Sequence, residues 1–128
     1  METILVVDDK RVDAAFHEHV IILFVRQSDA RILEANQAAS EAYGYSAAEL
    51  MQLTEYDLHT PDEFENLTKY LAHTSDGQNI AFETTHRRKD GSSFPVEIAA
   101  KSTVINEELV ILNVIRDVSG QHQADHGV

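Results

Sequence analysis

Two stretches of this chain, Val20 to Arg26 and Leu109 to Arg116, are apolar at odd and even positions alike. Successive side chains of a strand point to opposite faces, so a strand with one wet face alternates and a strand without alternation must be covered on both sides. Both stretches therefore belong in the middle of one sheet, with something lying over the face that ordinarily meets water. The segment from Phe94 to Val104 reads differently: Phe94, Val96, Ile98 and Ala100 share one parity while Glu97, Lys101 and Thr103 share the other, as in a half-exposed strand. Ile80 to Arg88 precedes it across Lys89-Asp90-Gly91, where Asp-Gly supplies the positive φ of a tight hairpin. Ser28-Asp29-Ala30-Arg31 turns the first apolar strand into a partner at Ile32 to Ala35.

Between these strands the sequence is built for short helices. Asn36 is placed to cap a helix through Tyr43, Gly44 ends it, and Ser46 with Glu49 forms a capping box for a helix from Ala47 to Leu53. Thr60, Pro61 and Glu63 repeat the start signal for a helix running to about His73, which should bury Phe64, Leu67 and Leu71 and close at Gly77. At the start of the chain, Thr3 to Val7 reads as a strand stopped by Asp8-Asp9. Val12, Ala15, Phe16, His19 and Val20 then follow at helical spacing.

A length of 128 residues with 43% hydrophobic content suits one domain with one core. The net charge of -12 repels phosphate backbones and anionic headgroups, so nucleic acid is not an expected partner. Absence of cysteine excludes disulfides, thiolate metal sites and cysteine nucleophiles, and accords with a reducing compartment. The longest apolar runs, Ile4 to Val7 and Val20 to Val25, fall far short of the ~20 residues a membrane span requires. Met1-Glu2-Thr3 lacks the basic start of a signal peptide, so a soluble, cytoplasmic fragment without membrane insertion is expected.

Several short motifs occur together in order. Asn36-Gln37-Ala38-Ala39 leads into Gly44-Tyr45-Ser46, and Arg88-Lys89-Asp90-Gly91 runs through Phe94-Pro95-Val96-Glu97 to Arg116-Asp117-Val118-Ser119. Over residues 20 to 119 this series resembles the PAS family of sensory domains. The resemblance implies an α+β fold, a five-stranded antiparallel sheet with short helices on one face and an N-terminal helical cap. The resemblance places the first and last strands adjacent at the centre, which agrees with the middle position that the two doubly apolar stretches independently require. Residues 1–19 then form the strand and helix cap segment, 20–119 the domain, and 120–128 a truncated linker.

The same resemblance directs attention to an inward-facing set of candidate ligand-pocket residues: Phe82, Thr84, His86, Val96, Ile98, Ile111, Asn113 and Ile115. His86 is similar in register to the position from which flavin-binding members offer a polar contact, with Val96 expected as its hairpin neighbour. Asn113 shares the inward parity of Ile111 and Ile115. A His and an Asn converging on an apolar cavity would orient a small polar ligand; equally, both would serve as core polar residues bonded to each other, to backbone or to buried water. His73 lies in the region from which haem-binding members take their proximal ligand, and it is also placed to satisfy terminal helix carbonyls. Neither haem nor covalently linked flavin is expected, since His73 is the only placed iron-ligand candidate and flavin photochemistry of the LOV type needs a cysteine, of which the chain has none. His17, His19, His59, His122 and His126 show no metal-ligand spacing, and no metal site is expected.

Ile4-Leu5-Val6-Val7-Asp8-Asp9 resembles the opening strand and acidic pair of receiver domains, as a remnant of one or as a coincidence of strand and cap chemistry. The acidic residues Asp57, Asp62, Glu63, Glu65, Glu107 and Glu108 mostly sit where caps and turns account for them, and no catalytic motif occurs. No enzymatic activity is expected of this segment. The resemblance implies a sensory or relay module of a multidomain two-component signalling protein, taking a small ligand or transmitting a conformational change to an output domain. Its signal exit would be Arg116 and Asp117. The competing expectation is a ligand-free module with a filled core, in which the outer sheet face and the N-terminal helix build a homodimer.

Overall fold

The computed structural model describes residues 20–74, 77 and 79–120. Five strands make one antiparallel sheet: β1 (Val20–Arg26), β2 (Ile32–Ala35), β3 (Asn79–Arg87), β4 (Ser93–Ile105) and β5 (Glu108–Asp117). Their order across the sheet is β2-β1-β5-β4-β3, which places the two doubly apolar strands side by side at its centre. The register Ile21↔Ile115, Leu23↔Asn113 and Val25↔Ile111 sets one row of side chains on the inner face. Ile98 and Ala100 of β4 extend that face, opposite Ile115 and Asn113.

Short helices cover this inner face: α1 (Gln37–Tyr43), α2 (Ala47–Leu50) and α3 (Phe64–His73), with 3-10 turns at Glu55–Leu58 and Pro61–Glu63. Ile21, Leu23, Val25, Ile32, Leu50 and Leu58 are fully buried between the layers. Each such aliphatic side chain contributes about 1.5–3 kcal/mol by leaving water. Asn36 joins the layers. Its Oδ1 accepts the Ala39 N–H that opens α1 and the Ile22 N–H of β1, each at 3.0 Å, while its Nδ2 donates to the Val20 carbonyl at 2.9 Å.

Several expectations need correction. α2 ends at Leu50 rather than Leu53, because Gln52 and Leu53 turn back in tighter bonds to Glu49 and Leu50, which leaves the Leu53 carbonyl to accept the Ile32 N–H. The helix expected from Pro61 begins as a 3-10 turn and becomes α-helical at Phe64, which is only half-buried and meets Tyr56 edge-on. Gly77 does not close α3. Thr74 does so through its N–H to Leu71 and its hydroxyl to Tyr70, whereas Gly77, at φ 81°, bonds across to Ser102 on β4.

The hairpin partner of His86 is Phe94, not Val96, which faces Thr84. The connection spans Arg88 to Ser92, with Gly91 at φ 92° and its N–H on the Arg88 carbonyl, so the strands pair two residues away from the expected register. A shift of two leaves every side chain on its expected face. The outer face departs more. Among the described residues it is incompletely covered, since Ile22, Phe24 and Leu112 are half-buried and Val114 is 37% exposed. The strand, helix cap and receiver-like segment expected in residues 1–19, and the tail expected in 121–128, lie outside the described residues.

Candidate functional site

At the β3 end of the inner face the core is polar. Tyr43 closes α1, and Gly44, at φ 85°, stops the helix there, so that the phenol projects towards the sheet. Its hydroxyl lies 2.6 Å from His86 Nδ1. His86 Nε2 lies 3.2 Å from His59 Nε2, and that same His59 nitrogen lies 3.4 Å from Glu55 Oε2. Asn113 Nδ2 donates to the same carboxylate oxygen at 3.4 Å, and Tyr70 donates to Asn113 Oδ1 at 3.4 Å. Tyr43, His86, His59, Glu55 and Asn113 are all buried, four of them without any exposed surface.

Local sequence explains how these groups are presented. Asp57 Oδ2 accepts the Thr54 N–H at 2.9 Å and winds the Glu55–Leu58 turn. The Glu55 N–H is held by the Ala30 carbonyl at 2.8 Å, at a corner where Ala30 itself adopts φ 64°. A single bridge then pairs His59 with His86, bringing a residue of the helical layer against β3. The two imidazoles meet edge to face with centroids 4.4 Å apart, and Tyr43 and Phe94 pack beside them.

Burial holds the His86 pKa well below the ordinary histidine range, with the neighbouring His59 adding to the effect, so His86 is a neutral imidazole at physiological pH. Burial also raises the Tyr43 pKa far above the usual phenol value, helped by the charges of Glu55 and Asp117, and Tyr43 stays protonated. Among the described residues, three buried polar atoms lack a partner: Glu55 Oε1, His59 Nδ1 and Thr60 Oγ1. Two of the three belong to this cluster.

Of the residues singled out in the sequence, His86, Val96, Ile98, Ile111, Asn113 and Ile115 are buried, and Phe82 and Thr84 are half-buried. His86 and Asn113 do not touch; His59 and Glu55 stand between them. Sequence reasoning set His59 aside and did not single out Glu55 or Tyr43. The available signal was Glu55-x-x-x-His59, but that spacing implies a common face only on an α-helix, and here the pair lies on a 3-10 turn and its end. His73 is exposed, with Nδ1 donating to the Lys69 carbonyl at 2.8 Å, the terminal-carbonyl role weighed above.

At the exit, Asp117 Oδ1 accepts from the Ser119 N–H at 2.9 Å and from the Ser119 hydroxyl at 2.6 Å, while Arg88 lies 4.0 Å from its other oxygen. Arg116 pairs with Glu97 across the strands. A cleft of about 460 Å³ opens here between α1 and the end of β5, lined by Ala38, Glu41, Ala42, Arg116, Asp117 and Ser119 among others. A second cleft, about 390 Å³, lies on the outer face over Ala81, Ala99, Leu112 and Val114. Neither is lined by the buried cluster. Among the described residues no helix is long and apolar enough to cross a membrane.

Comparisons with known proteins agree on the fold. Residues 19–120 match the PAS domain family. Sensor histidine kinase TmoS of Ectopseudomonas mendocina is 27% identical over 124 residues, which is 94% of this chain and only 13% of that protein. The PAS domain of an HTR-like protein from Haloarcula marismortui is 25% identical, with a TM-score of 0.70 over 91% of this chain and 96% of the other. A PAS domain from Colwellia psychrerythraea, 19% identical, superposes with a TM-score of 0.72 over 86% and 95% of the two chains.

Proposed function

From the premise that this chain belongs to the PAS family, a family of sensory modules rather than catalysts, we propose that it is the sensory or relay domain of a multidomain two-component protein. It would couple an input at the buried polar cluster to an output domain beyond Asp117. Resemblance to a sensor histidine kinase supports the signalling context, and the chain spans about an eighth of that relative's length. The observation that carries the reading is the hydrogen bond of Asn113 to Glu55. It ties the helical layer to β5, the central strand that ends four residues later at Asp117. Any event that repositions Glu55 acts on that strand directly. The cysteine-free composition supports a cytoplasmic setting.

The test is to join the domain to the kinase module of its parent protein and follow autophosphorylation. Asp117→Ala, which removes the Ser119 and Arg88 contacts, is expected to uncouple input from output while circular dichroism shows the fold intact. Unchanged regulation in that variant argues against a relay through the exit.

A second reading is favoured by the outer face: a homodimer formed over Ile22, Phe24, Leu112 and Val114, with no small ligand. Exposed Val114 beside a largely apolar cleft is the observation behind it. Sedimentation of a Val114→Glu variant tests this second reading, since a dimer seated on this face becomes monomeric and one seated elsewhere does not.

A further inference from the structure

The buried cluster has more electron pairs than hydrogens to join them. His59 Nε2 faces both His86 Nε2 at 3.2 Å and Glu55 Oε2 at 3.4 Å, but a ring nitrogen carries either one hydrogen or one lone pair. With a hydrogen there, it serves one neighbour and leaves the other. With a lone pair there, it opposes the carboxylate directly. The remaining donors do not close the gap: Asn113 reaches Glu55 Oε2 only at 3.4 Å, and Glu55 Oε1 and His59 Nδ1 have no partner. Among the described residues Glu55 has no lysine or arginine beside it, although an ionised carboxylate stripped of water is costly to leave uncompensated.

A cation placed among His86 Nε2, His59 Nε2 and Glu55 Oε2 would serve those three atoms together. We propose that Glu55, His59 and His86 form a site for a divalent transition-metal cation of the Zn²⁺ class. Bonds of about 2.0–2.1 Å to ligands at tetrahedral angles require donor separations of about 3.3–3.5 Å. Of the observed separations, 3.4 Å matches such an edge and 3.2 Å is just short of one, and all three donor atoms lie within 4.8 Å of one another. Two imidazoles with one carboxylate are a donor set of intermediate softness, which suits Zn²⁺, Co²⁺ or Ni²⁺ better than Ca²⁺ or Mg²⁺. Of the two histidines, His86 has the supporting partner usual for such ligands, while His59 Nδ1 has none: with Nε2 on the metal, His86 Nδ1–H donates to the Tyr43 oxygen, fixing tautomer and ring plane. Two ligands come from the Glu55–His59 segment and one from β3, so binding would clamp the helical layer to the sheet.

This inference deepens the sensory reading by naming the class of input, and it rests on that reading only for the claim that binding is sensed. Binding itself is tested on the full 128-residue chain, stripped of metal by chelator and titrated with Co²⁺, then Zn²⁺. The expected result is one equivalent of Co²⁺ with the visible bands of a four-coordinate ion, bleached by Zn²⁺. Glu55→Gln and His59→Gln are each expected to weaken binding at least about 100-fold. Tyr43→Phe, a positioning change, should cost roughly 10-fold, the lower end for loss of an outer partner.

Histidine ¹⁵N spectra of the unsubstituted chain give a readout independent of whether the variants fold: Zn²⁺ should move the Nε2 resonances of His59 and His86 and leave His73 unmoved. Absence of saturable one-to-one binding overturns the site. So does binding that survives Glu55→Gln and His59→Gln, or that disappears when His17, His19, His122 and His126 are replaced together. In the parent kinase, Zn²⁺ binding without a change in output defeats the sensory reading and leaves the site standing. Regulation by another signal with no Zn²⁺ bound does the reverse.

Discussion

The inner face of the sheet is two different materials. Over β1 and β2 it is aliphatic throughout, with Ile21, Leu23, Val25 and Ile32 packed against Leu50 and Leu58. Over β3, at the same depth, it carries Tyr43, His86, His59 and Glu55 joined in a row. Burial at the first region is its own reward, because removing apolar surface from water is favourable and needs no particular partner. At the second, every group had to surrender its hydration and depends on the neighbour it found. Stability therefore resides chiefly in one region, whereas the other holds together only through the pairing of its polar groups.

The largest effect that would sharpen this contrast is expected at Leu23. Leu23→Ala should lower unfolding free energy by about 2–5 kcal/mol, since the cavity opens at the centre of the sheet where nothing can collapse into it. Chemical denaturation measures it, and metal affinity per folded molecule should stay as it was. A loss below 1 kcal/mol would mean that the aliphatic region is not the main source of stability.

Next is the polar row itself. His86→Leu strands the Tyr43 hydroxyl and one edge of His59, with an expected cost of about 1–3 kcal/mol for the unpaired groups. Adding Tyr43→Phe should cost less in that background than in the native chain, because the hydroxyl has already lost its partner. A double-mutant cycle reads the coupling. Strict additivity would dissolve the row into independent residues.

Acidification separates the regions further. The His86 pKa in the folded protein lies well below its ordinary value of 6.5. Below that ordinary value the unfolded chain therefore binds a proton that the folded chain refuses, and stability falls with falling pH until the folded pKa is reached. The metal-free protein should show a declining thermal midpoint from pH 7 to pH 5, and His86→Leu should flatten that decline. An equal slope in both proteins would place the responsible group elsewhere.

The smallest effect is expected on the outer face. Val114→Thr should change the stability of the monomer by no more than about 0.5 kcal/mol, as exposed substitutions do. A larger loss that depends on protein concentration would show that a second copy covers this face.

Which strands lie in the middle of the sheet was legible because it follows from local pattern. Lack of alternation in Val20 to Arg26 and Leu109 to Arg116 put them in the middle of the sheet, where β1 and β5 lie, and alternation in β4 told which of its residues face inward. Caps at Asn36 and Ser46 were equally plain, since a cap and the N–H it serves are three residues apart. Parity even survived the wrong hairpin register, because a slip of two residues returns each side chain to the same face.

What the sequence by itself determined, then, is what periods of two residues and caps over three can encode: which segments are strands, which lie inside, where short helices start, and that His86 and Asn113 share parity with apolar neighbours. Tertiary structure alone decided their company. Tyr43 and His86 are 43 residues apart, His59 and His86 27, and Glu55 and Asn113 58. No local period spans such distances. The 3-10 turn at Glu55–Leu58 carries no amphipathic pattern to reveal which way its side chains point, and its attachment to Ala30 by one backbone bond and to β3 by one bridge is settled only when the layers close.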